Sequence, residues 1–289
     1  MSVDIAAGTV GGVAICVVGH PFDTIKVRLQ TQPVSNPLYL GAADCLRKTV
    51  AQEGFAGLYK GVASPLAGQV IFNAAQFFAY GQASKAMLAP GQERLSIPQF
   101  FVAGAATGFV ISFIEGPMDL FKSQMQVQVF KKTDGPAYKS VADCAVHIWR
   151  TGGIRGVYQG LGSTILRDVP AVALYFGGYE MAKDHFARNK GIKVEELSSV
   201  ETLAAGGFGG FLYWALTYPL DVVKSTMQAD AVEPSKRQYR TILDTFGKLY
   251  AENGTKAFFK GITPCLLRSV PANAACFFAY ETTKKALSN

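Results

Sequence analysis

Histidine and cysteine are scarce in this chain of 289 residues, which has only three histidines and five cysteines. The sequence contains no CxxC pair and no HExxH, GxSxG or P-loop lysine motif. It therefore lacks the usual side-chain patterns of a metal centre, a nucleophilic triad or a nucleotide-phosphate cradle. We predict no metal, no cofactor and no enzymatic activity. Because the cysteine count is odd, thiols are expected instead of a full disulfide framework.

Charged residues are also few, at 17% of the chain against 49% hydrophobic residues. The mean hydropathy of +0.18 is low for helices that face lipid on all sides. It fits membrane helices that carry small and polar residues on one side, around a wet cavity. The net charge is +7, but the basic residues are scattered, which disfavours a nucleic-acid partner. Attraction to anionic lipid, or to anionic groups of a substrate, fits better.

One ten-residue pattern occurs three times, about 100 residues apart, which indicates one structural unit used three times. Each copy has a proline, then an aspartate, a lysine and a glutamine at the same offsets. A pair of glycines four residues apart precedes each copy, and each unit closes with a tyrosine. We predict a long helix with a proline kink, a short amphipathic helix and a second long helix in each unit. The copies are residues 21–30, 117–126 and 219–228.

The P-x-[DE]-x-x-[KR] signature, the glycine pairs and the closing aromatic–acid pairs resemble the mitochondrial carrier family over the whole chain. Residues 19–32, 166–170 and 271–277 resemble its carnitine/acylcarnitine carriers and their basic amino acid relatives. The resemblance implies an all-α membrane protein with six transmembrane helices in three pseudo-symmetric repeats (helix, short matrix amphipathic helix, helix) around a central cavity. The repeats are expected at residues 1–92, 93–194 and 195–289.

The resemblance also implies a multi-pass protein of the mitochondrial inner membrane, with the short helices facing the matrix. No Arg-rich and Ser-rich leader precedes Gly8, so we expect any targeting signal to be internal. Cardiolipin is the lipid partner that the resemblance implies, bound where free N–H groups at helix starts favour phosphate. The implied lipid-binding glycines are Gly61, Gly160 and Gly261. The second site is expected to be weaker, because Gln159 replaces the lysine of the other two repeats.

The acids and bases of the repeated pattern cannot lie unpaired at membrane depth. Around a threefold axis they would form a ring of alternating charge. The resemblance implies that this ring is a matrix-side gate, braced by three glutamines. A purely structural ring would contain the same bonds, and the gate interpretation adds only that they break during transport. The implied pairs are Asp23–Lys122, Asp119–Lys224 and Asp221–Lys26, and the bracing residues are Gln30, Gln126 and Gln228.

A second gate of the family, on the cytoplasmic side, needs an acid and a base three residues later at the end of each repeat. The second repeat matches with Glu180 and Lys183, and the third with Glu281 and Lys284. In the first repeat Gly81 stands in the place of the acid and Ser84 in the place of the base. Only the pair of Glu180 with Lys284 is then left of the three that the resemblance implies. We expect a weak outer gate.

The substrate contact points of the family map onto Gly68, Arg167 and Arg268, thirteen residues before the closing positions. Asp168 follows Arg167 directly. A guanidinium binds a carboxylate through two parallel hydrogen bonds, and Asp168 can attract an ammonium group. The site is therefore expected to hold a zwitterion, with room at Gly68 for an acyl chain. An open alternative is that Arg167 and Asp168 only pair with each other.

Other residues near this site leave their roles open. Glu115 lies one helical turn before Asp119. It is a candidate cation attractor, a candidate proton-linked group, or the partner of a nearby base. Tyr213 and Trp214 offer aromatic faces to a quaternary ammonium, or simply pack. His20 is expected to be structural.

These features predict a substrate exchanger that works by alternating access. Its cargo is expected to be a small zwitterionic metabolite, with carnitine and acylcarnitine as the first candidates and a basic or neutral amino acid as the second. Ornithine-type members of the family carry an acid where Phe72 stands, which weighs against the second candidate. A third interpretation is a structural subunit of a membrane complex that keeps the carrier fold. It is supported only by the incomplete outer gate.

Overall fold

The computed structural model describes residues 2–32, 37–89, 91–92, 94–128 and 138–288, and all regular secondary structure within them is helical. The helices follow the order long, short, long three times, as the repeated pattern predicts, which confirms an all-α fold of three helix–short helix–helix units. The helices are α1 (Ser2–Thr31), α2 (Ala42–Glu53), α3 (Ala63–Met87), α4 (Ile97–Val127), α5 (Val141–Val157), α6 (Leu161–Lys190), α7 (Ser199–Ala229), α8 (Ile242–Asn253) and α9 (Ile262–Ser288).

The six long helices have 25 to 31 residues each. About 20 residues suffice for a helix to cross a bilayer. In the described part of the chain, Val10–Thr31 and Ile97–Val127 also meet a strict limit of length and apolar composition for a membrane span. The long helices continue through their internal prolines, including Pro21, Pro117 and Pro219.

The short helices α5 and α8 begin with hydroxyl caps. The Ser140 and Thr241 side chains accept hydrogen bonds from the backbone N–H groups of Asp143 and Asp244, at 3.1 Å in both cases. The Asp244 carboxylate in turn accepts from the N–H of Arg240, just before the cap. A hydroxyl and an acid thus share the free N–H groups at the start of the helix.

The contacts within the chain form two compact units. The first unit comprises Met1–Ile71, Pro117–Gly160 and Ser225–Asn289, and the second comprises Phe72–Gly116 and Leu161–Lys224. These boundaries run across the three predicted repeats, whose limits stay a prediction.

In the first unit, α1 packs along α9 and also holds the short helix α2. The buried Arg28 side chain donates two hydrogen bonds to Glu53, at 2.5 and 2.9 Å, and one to Thr49 at 2.9 Å. Lys60 lies 2.6 Å from the same carboxylate. Burial raises the pKa of Glu53, but the hydrogen bonds from Arg28 and Lys60 outweigh it and leave the pKa below its ordinary value. Glu53 therefore stays charged and ties α2 to the end of α1.

In the second unit, missing side chains let α4 and α7 approach α6 closely. A Cβ atom on Gly108 would lie 2.5 Å from the carbonyl oxygen of Asp168, and one on Gly104 would lie 2.7 Å from that of Val172. On α7 the close approach is at Gly209, where a Cβ atom would lie 2.7 Å from the carbonyl oxygen of Tyr175. Small residues of this kind bring membrane helices together, and here they place the side chains of α4, α6 and α7 around one polar cluster.

Candidate functional site

Asp23 on α1 is the centre of an ion cluster in the first unit. It accepts a hydrogen bond from Lys122 Nζ at 2.8 Å and another from Arg268 Nη1 at 2.7 Å. The Asp23 side chain is only 17% exposed. A Cβ atom on Gly19 would lie 2.7 Å from Arg268 Nε, so this glycine lets the guanidinium cross α1 and reach Asp23. The predicted substrate contact Arg268 is thus joined directly to an acid of the predicted matrix gate.

One pair of the predicted matrix gate is described within the first unit. The contact between Lys122 and Asp23 is present, while Lys224 Nζ donates to Glu115 Oε1 at 2.8 Å. Gln126 donates to Thr24 Oγ1 at 3.0 Å. Opening of this ring stays a prediction, as do the pairs Asp119–Lys224 and Asp221–Lys26 and the bracing roles of Gln30, Gln126 and Gln228.

Arg167 on α6 lies in a buried cluster of the second unit. Its Nη1 is 2.6 Å from Asp168 Oδ1 and 3.1 Å from Glu115 Oε1, and its Nη2 is 3.6 Å from Asp221 Oδ1. The Arg167–Asp168 pair that the sequence leaves as an alternative therefore exists, within a larger network. Within the described part of the chain, Arg167 Nε is buried and has no hydrogen-bond partner. One donor of this guanidinium is thus still available.

Two aromatic rings of α7 cover the Arg167 guanidinium. Its central carbon lies 4.8 Å from the centroid of the Tyr213 ring and 5.5 Å from that of Trp214. Both distances are within the range of a cation–π contact. The aromatic pair that the sequence offers to a quaternary ammonium thus stacks on a cation of the protein.

Ser112 on α4 contacts the second carboxylate oxygen of Asp168. Its hydroxyl oxygen lies 3.2 Å from Asp168 Oδ2 and 2.7 Å from the carbonyl oxygen of Gly108, so its one O–H is shared between these two acceptors. The Asp168 side chain is fully buried. The close packing of Gly108 against the Asp168 backbone brings Ser112, one turn further along α4, into reach. Sequence reasoning missed Ser112, although its spacing of four residues from Gly108 is a usable signal.

An apolar cavity of about 260 Å³ lies in the second unit beside this cluster. Aromatic and aliphatic side chains form most of its wall, and Tyr213 and Trp214 join it to Arg167. The lining residues are Phe72, Gln76, Ile111, Val172, Tyr175, Gly210, Tyr213 and Trp214.

The space predicted beside Gly68 is occupied by Met118 in the structure, while Gly68 as a substrate contact stays a prediction. A Cβ atom there would lie 2.1 Å from the terminal methyl carbon of Met118 and 2.3 Å from its sulfur. The flexible methionine has filled the place left by the missing side chain. Gly68 therefore provides packing space for Met118, and the observed apolar cavity lies elsewhere, in the second unit.

The outer end of the second unit contains a cation that the sequence pattern does not reveal. Arg94, just before α4, lies 2.6 Å from Glu180 Oε2 and 3.6 Å from Asp184 Oδ1. Lys183 also contacts Glu180, at 3.3 Å. The Glu281 and Lys284 side chains lie outside the described residues, so their part in the cytoplasmic gate stays a prediction. Arg94 thus competes for the acid that is predicted to pair with Lys284.

We expect Arg94→Gln to free Glu180 for its predicted gate partner and so to slow exchange in liposomes several-fold. The reason is that Arg94 holds a partly buried carboxylate with a charge-assisted hydrogen bond. Arg188→Gln is the matched control, because Arg188 pairs with the neighbouring Asp184 at 2.8 Å and its side chain is 79% exposed. Equal exchange rates for the two variants would contradict a role of Arg94 in the outer gate.

The three predicted lipid-binding glycines share one backbone conformation. Gly61, Gly160 and Gly261 have φ values of 82°, 79° and 79°, a region that favours glycine. Each lies at the start of a long helix. At the second of these positions Arg237 Nη2 donates to Gln159 Oε1 at 2.9 Å, so a base from the third repeat lies near the glutamine that replaces lysine. Cardiolipin binding stays a proposal.

Comparison with known proteins identifies the family of this chain. The profile of the family described as mitochondrial carrier protein matches residues 1–90, 93–190 and 195–289. The chain belongs to the mitochondrial carrier family. The family predicted from the repeated signature is thereby confirmed, and family membership makes the chain a transporter.

Three relatives illustrate the range of carriers that this chain is similar to. The mitochondrial carnitine/acylcarnitine carrier-like protein of Arabidopsis thaliana is 42% identical, over 98% of this chain and 98% of its own length. The mitochondrial carnitine/acylcarnitine carrier protein of Homo sapiens is 39% identical, over 99% of this chain and 94% of its own length. The mitochondrial basic amino acids transporter of Rattus norvegicus is 41% identical, over 96% of this chain and 87% of its own length.

Proposed function

We propose that this carrier exchanges a small zwitterionic metabolite across the mitochondrial inner membrane by alternating access, with carnitine and acylcarnitine as its cargo. The observation that carries the proposal is the side-by-side arrangement of Arg167, Asp168 and an apolar cavity in the second unit. Ligand sites typically combine an apolar wall with a few convergent polar groups. The names of the similar proteins from Arabidopsis thaliana and Homo sapiens support this choice of cargo.

The predicted contact residues offer a candidate partner for each half of a zwitterion. Arg268 is 30% exposed at its side chain and uses Nη1 for Asp23, so its other N–H groups are candidates for a substrate carboxylate. Arg167 Nε is a further candidate donor. Asp168 supplies the negative charge for an ammonium or quaternary ammonium group, with the Tyr213 and Trp214 rings nearby.

The size of the cavity bears on the length of the cargo. Its volume of about 260 Å³ is near the lower end of ligand pockets, which typically have about 300–1,000 Å³. This is room for a head group or a short acyl chain. A long acyl chain must extend beyond the lining residues.

A basic or neutral amino acid is the second candidate cargo. It is favoured by the similarity to the Rattus norvegicus transporter and by the modest volume of the cavity. Phe72 lines the cavity where a second ammonium group of a basic amino acid would need an acid. The lining therefore favours a cargo with a single cationic group.

A competition assay with purified carrier in liposomes tests the cargo. Uptake of labelled carnitine is expected to be inhibited by carnitine and short-chain acylcarnitines, and much less by lysine, arginine, ornithine or glycine. Stronger inhibition by the amino acids would select the second candidate. Asp168→Asn is expected to weaken binding of the cationic head group about tenfold or more, because a quaternary ammonium has no N–H to donate and is attracted by the negative charge that this change removes. Unchanged competition in this variant would overturn the assignment of Asp168.

A further inference from the structure

Glu115 on α4 joins two cations that have different predicted tasks. Its Oε1 atom accepts a hydrogen bond from Arg167 Nη1 at 3.1 Å and another from Lys224 Nζ at 2.8 Å. Arg167 is a predicted substrate contact, and Lys224 is a predicted base of the matrix gate. All three residues lie in the second unit. Their side chains are 16%, 5% and 2% exposed in the order Glu115, Arg167 and Lys224, so water screens their interactions little.

We propose that Glu115 is a positioning residue that couples substrate binding at Arg167 to opening of the matrix gate at Lys224. The coupling arises because one carboxylate oxygen serves both cations. When the carboxylate of a zwitterionic substrate binds the Arg167 guanidinium, it competes with Glu115 for the same positive charge. The charge of Glu115 then acts more strongly on Lys224 and draws this lysine away from Asp119, its predicted gate partner.

The free energy for this switch comes from the Arg167–Glu115 contact, which differs in strength between the empty and the loaded carrier. A ligand shifts a conformational equilibrium only by as much as it binds one state better than the other. In the empty carrier Arg167 attracts the Glu115 carboxylate. In the loaded carrier this attraction is weaker, because Arg167 also binds the substrate carboxylate. Arg167 Nε, which is buried and has no partner within the described residues, is a donor that a bound substrate carboxylate would satisfy.

This inference rests on the proposed function, since it requires a substrate with a carboxylate. Its test is Glu115→Gln, which keeps the shape of the side chain and removes the charge. Affinity is read from the substrate-induced rise of the unfolding midpoint in detergent, and turnover from exchange in liposomes. We expect affinity to be unchanged or up to about tenfold higher, because Arg167 is released, while turnover falls about tenfold or more. Such a division between affinity and turnover would not result from a structural role alone.

Two variants complete this experiment. Glu115→Asp keeps the charge and is expected to restore part of the turnover, and it provides the same test if the glutamine variant is not recovered folded. Glu201→Gln is the matched control, because Glu201 pairs with Lys190 at 2.9 Å in the same unit and lies outside the cluster. The control is expected to keep wild-type affinity and turnover.

Two outcomes would overturn the proposal. A weaker affinity for cation-headed solutes alone, with unchanged turnover, would make Glu115 a direct cation site. A parallel fall of affinity, turnover and folded fraction in Glu115→Gln, not repaired by Glu115→Asp, would make it a packing residue.

A second measurement decides the inference without any substrate. Thermal unfolding of Glu115→Gln, Lys224→Gln and their double variant gives the coupling between these two residues. We expect this coupling to be larger when Arg167→Gln is present in all members of the cycle, since the acceptor is then no longer shared. Equal coupling in both backgrounds would refute the shared-acceptor switch. If the wild-type carrier binds none of the candidate solutes, the proposed cargo fails, while this cycle still reports on the switch.

Discussion

Asp23→Asn is expected to destabilise the first unit more than any other single change considered above, by about 3–5 kcal/mol. The reason is that two largely buried cations, Lys122 and Arg268, lose their shared acceptor together. Lys122→Ala should cost less, because Arg268 still holds the carboxylate at 2.7 Å. The measurement is the thermal unfolding midpoint of the purified carrier in detergent, followed by exchange in liposomes.

The double variant Asp23→Asn with Lys122→Ala should lose less than the sum of the two single changes, since it removes both members of one contact. Asp44→Asn is the matched control, because Asp44 pairs with Lys48 on an exposed helix face and its loss should be small. Additive losses in the double variant, or a loss in the control as large as in Asp23→Asn, would contradict the central place of Asp23.

The second large effect is expected from Gly210→Leu on α7. Gly210 lines the cavity of about 260 Å³, and a Cβ atom there would meet no atom within 4 Å. A leucine side chain therefore enters open space and fills part of the cavity without a clash. We expect uptake to fall about tenfold or more. The unfolding midpoint should stay the same or rise, because leucine favours a helix over glycine by about 0.8–1 kcal/mol.

Gly207→Leu provides the control for this effect. Gly207 lies on the same helix and also has open space around its Cβ position, but it does not line the cavity. The gain in helix propensity is the same in both variants, so only occupation of the cavity differs. Wild-type uptake in Gly210→Leu, or an equal loss in both variants, would show that the cargo does not use this cavity.

The order and length of the helices could be predicted from local signals alone. Prolines, glycines and the repeated pattern define the beginning and end of each unit, and the helices follow the predicted order of long, short and long. The pairing of Asp23 with Lys122 could also be anticipated, because the family resemblance gives the order of the helices around the axis. These features depend on short-range patterns or on a signature that occurs three times.

The contacts of Arg94 could not be predicted, and for Glu115 the sequence offered a nearby base only as one of three alternatives, because neither residue belongs to the repeated pattern. Their partners depend on how closely two helices approach, and for Glu115 this is set by the packing of Gly108 against the backbone of α6. The filling of the space beside Gly68 by Met118 also depends on how closely neighbouring helices pack. A missing side chain leaves open space only if no neighbour fills it, and close packing favours filling by a flexible residue such as Met118.

The central claim is that this chain exchanges a small zwitterion, and counter-exchange by the purified carrier tests it most directly. Liposomes loaded with unlabelled carnitine should take up external labelled carnitine, whereas empty liposomes should take up little. Arg268→Ala should abolish the uptake while leaving the carrier folded. Equal uptake into loaded and empty liposomes would contradict exchange. Absence of uptake for carnitine, acylcarnitines and amino acids alike, with correctly folded protein, would contradict the account as a whole.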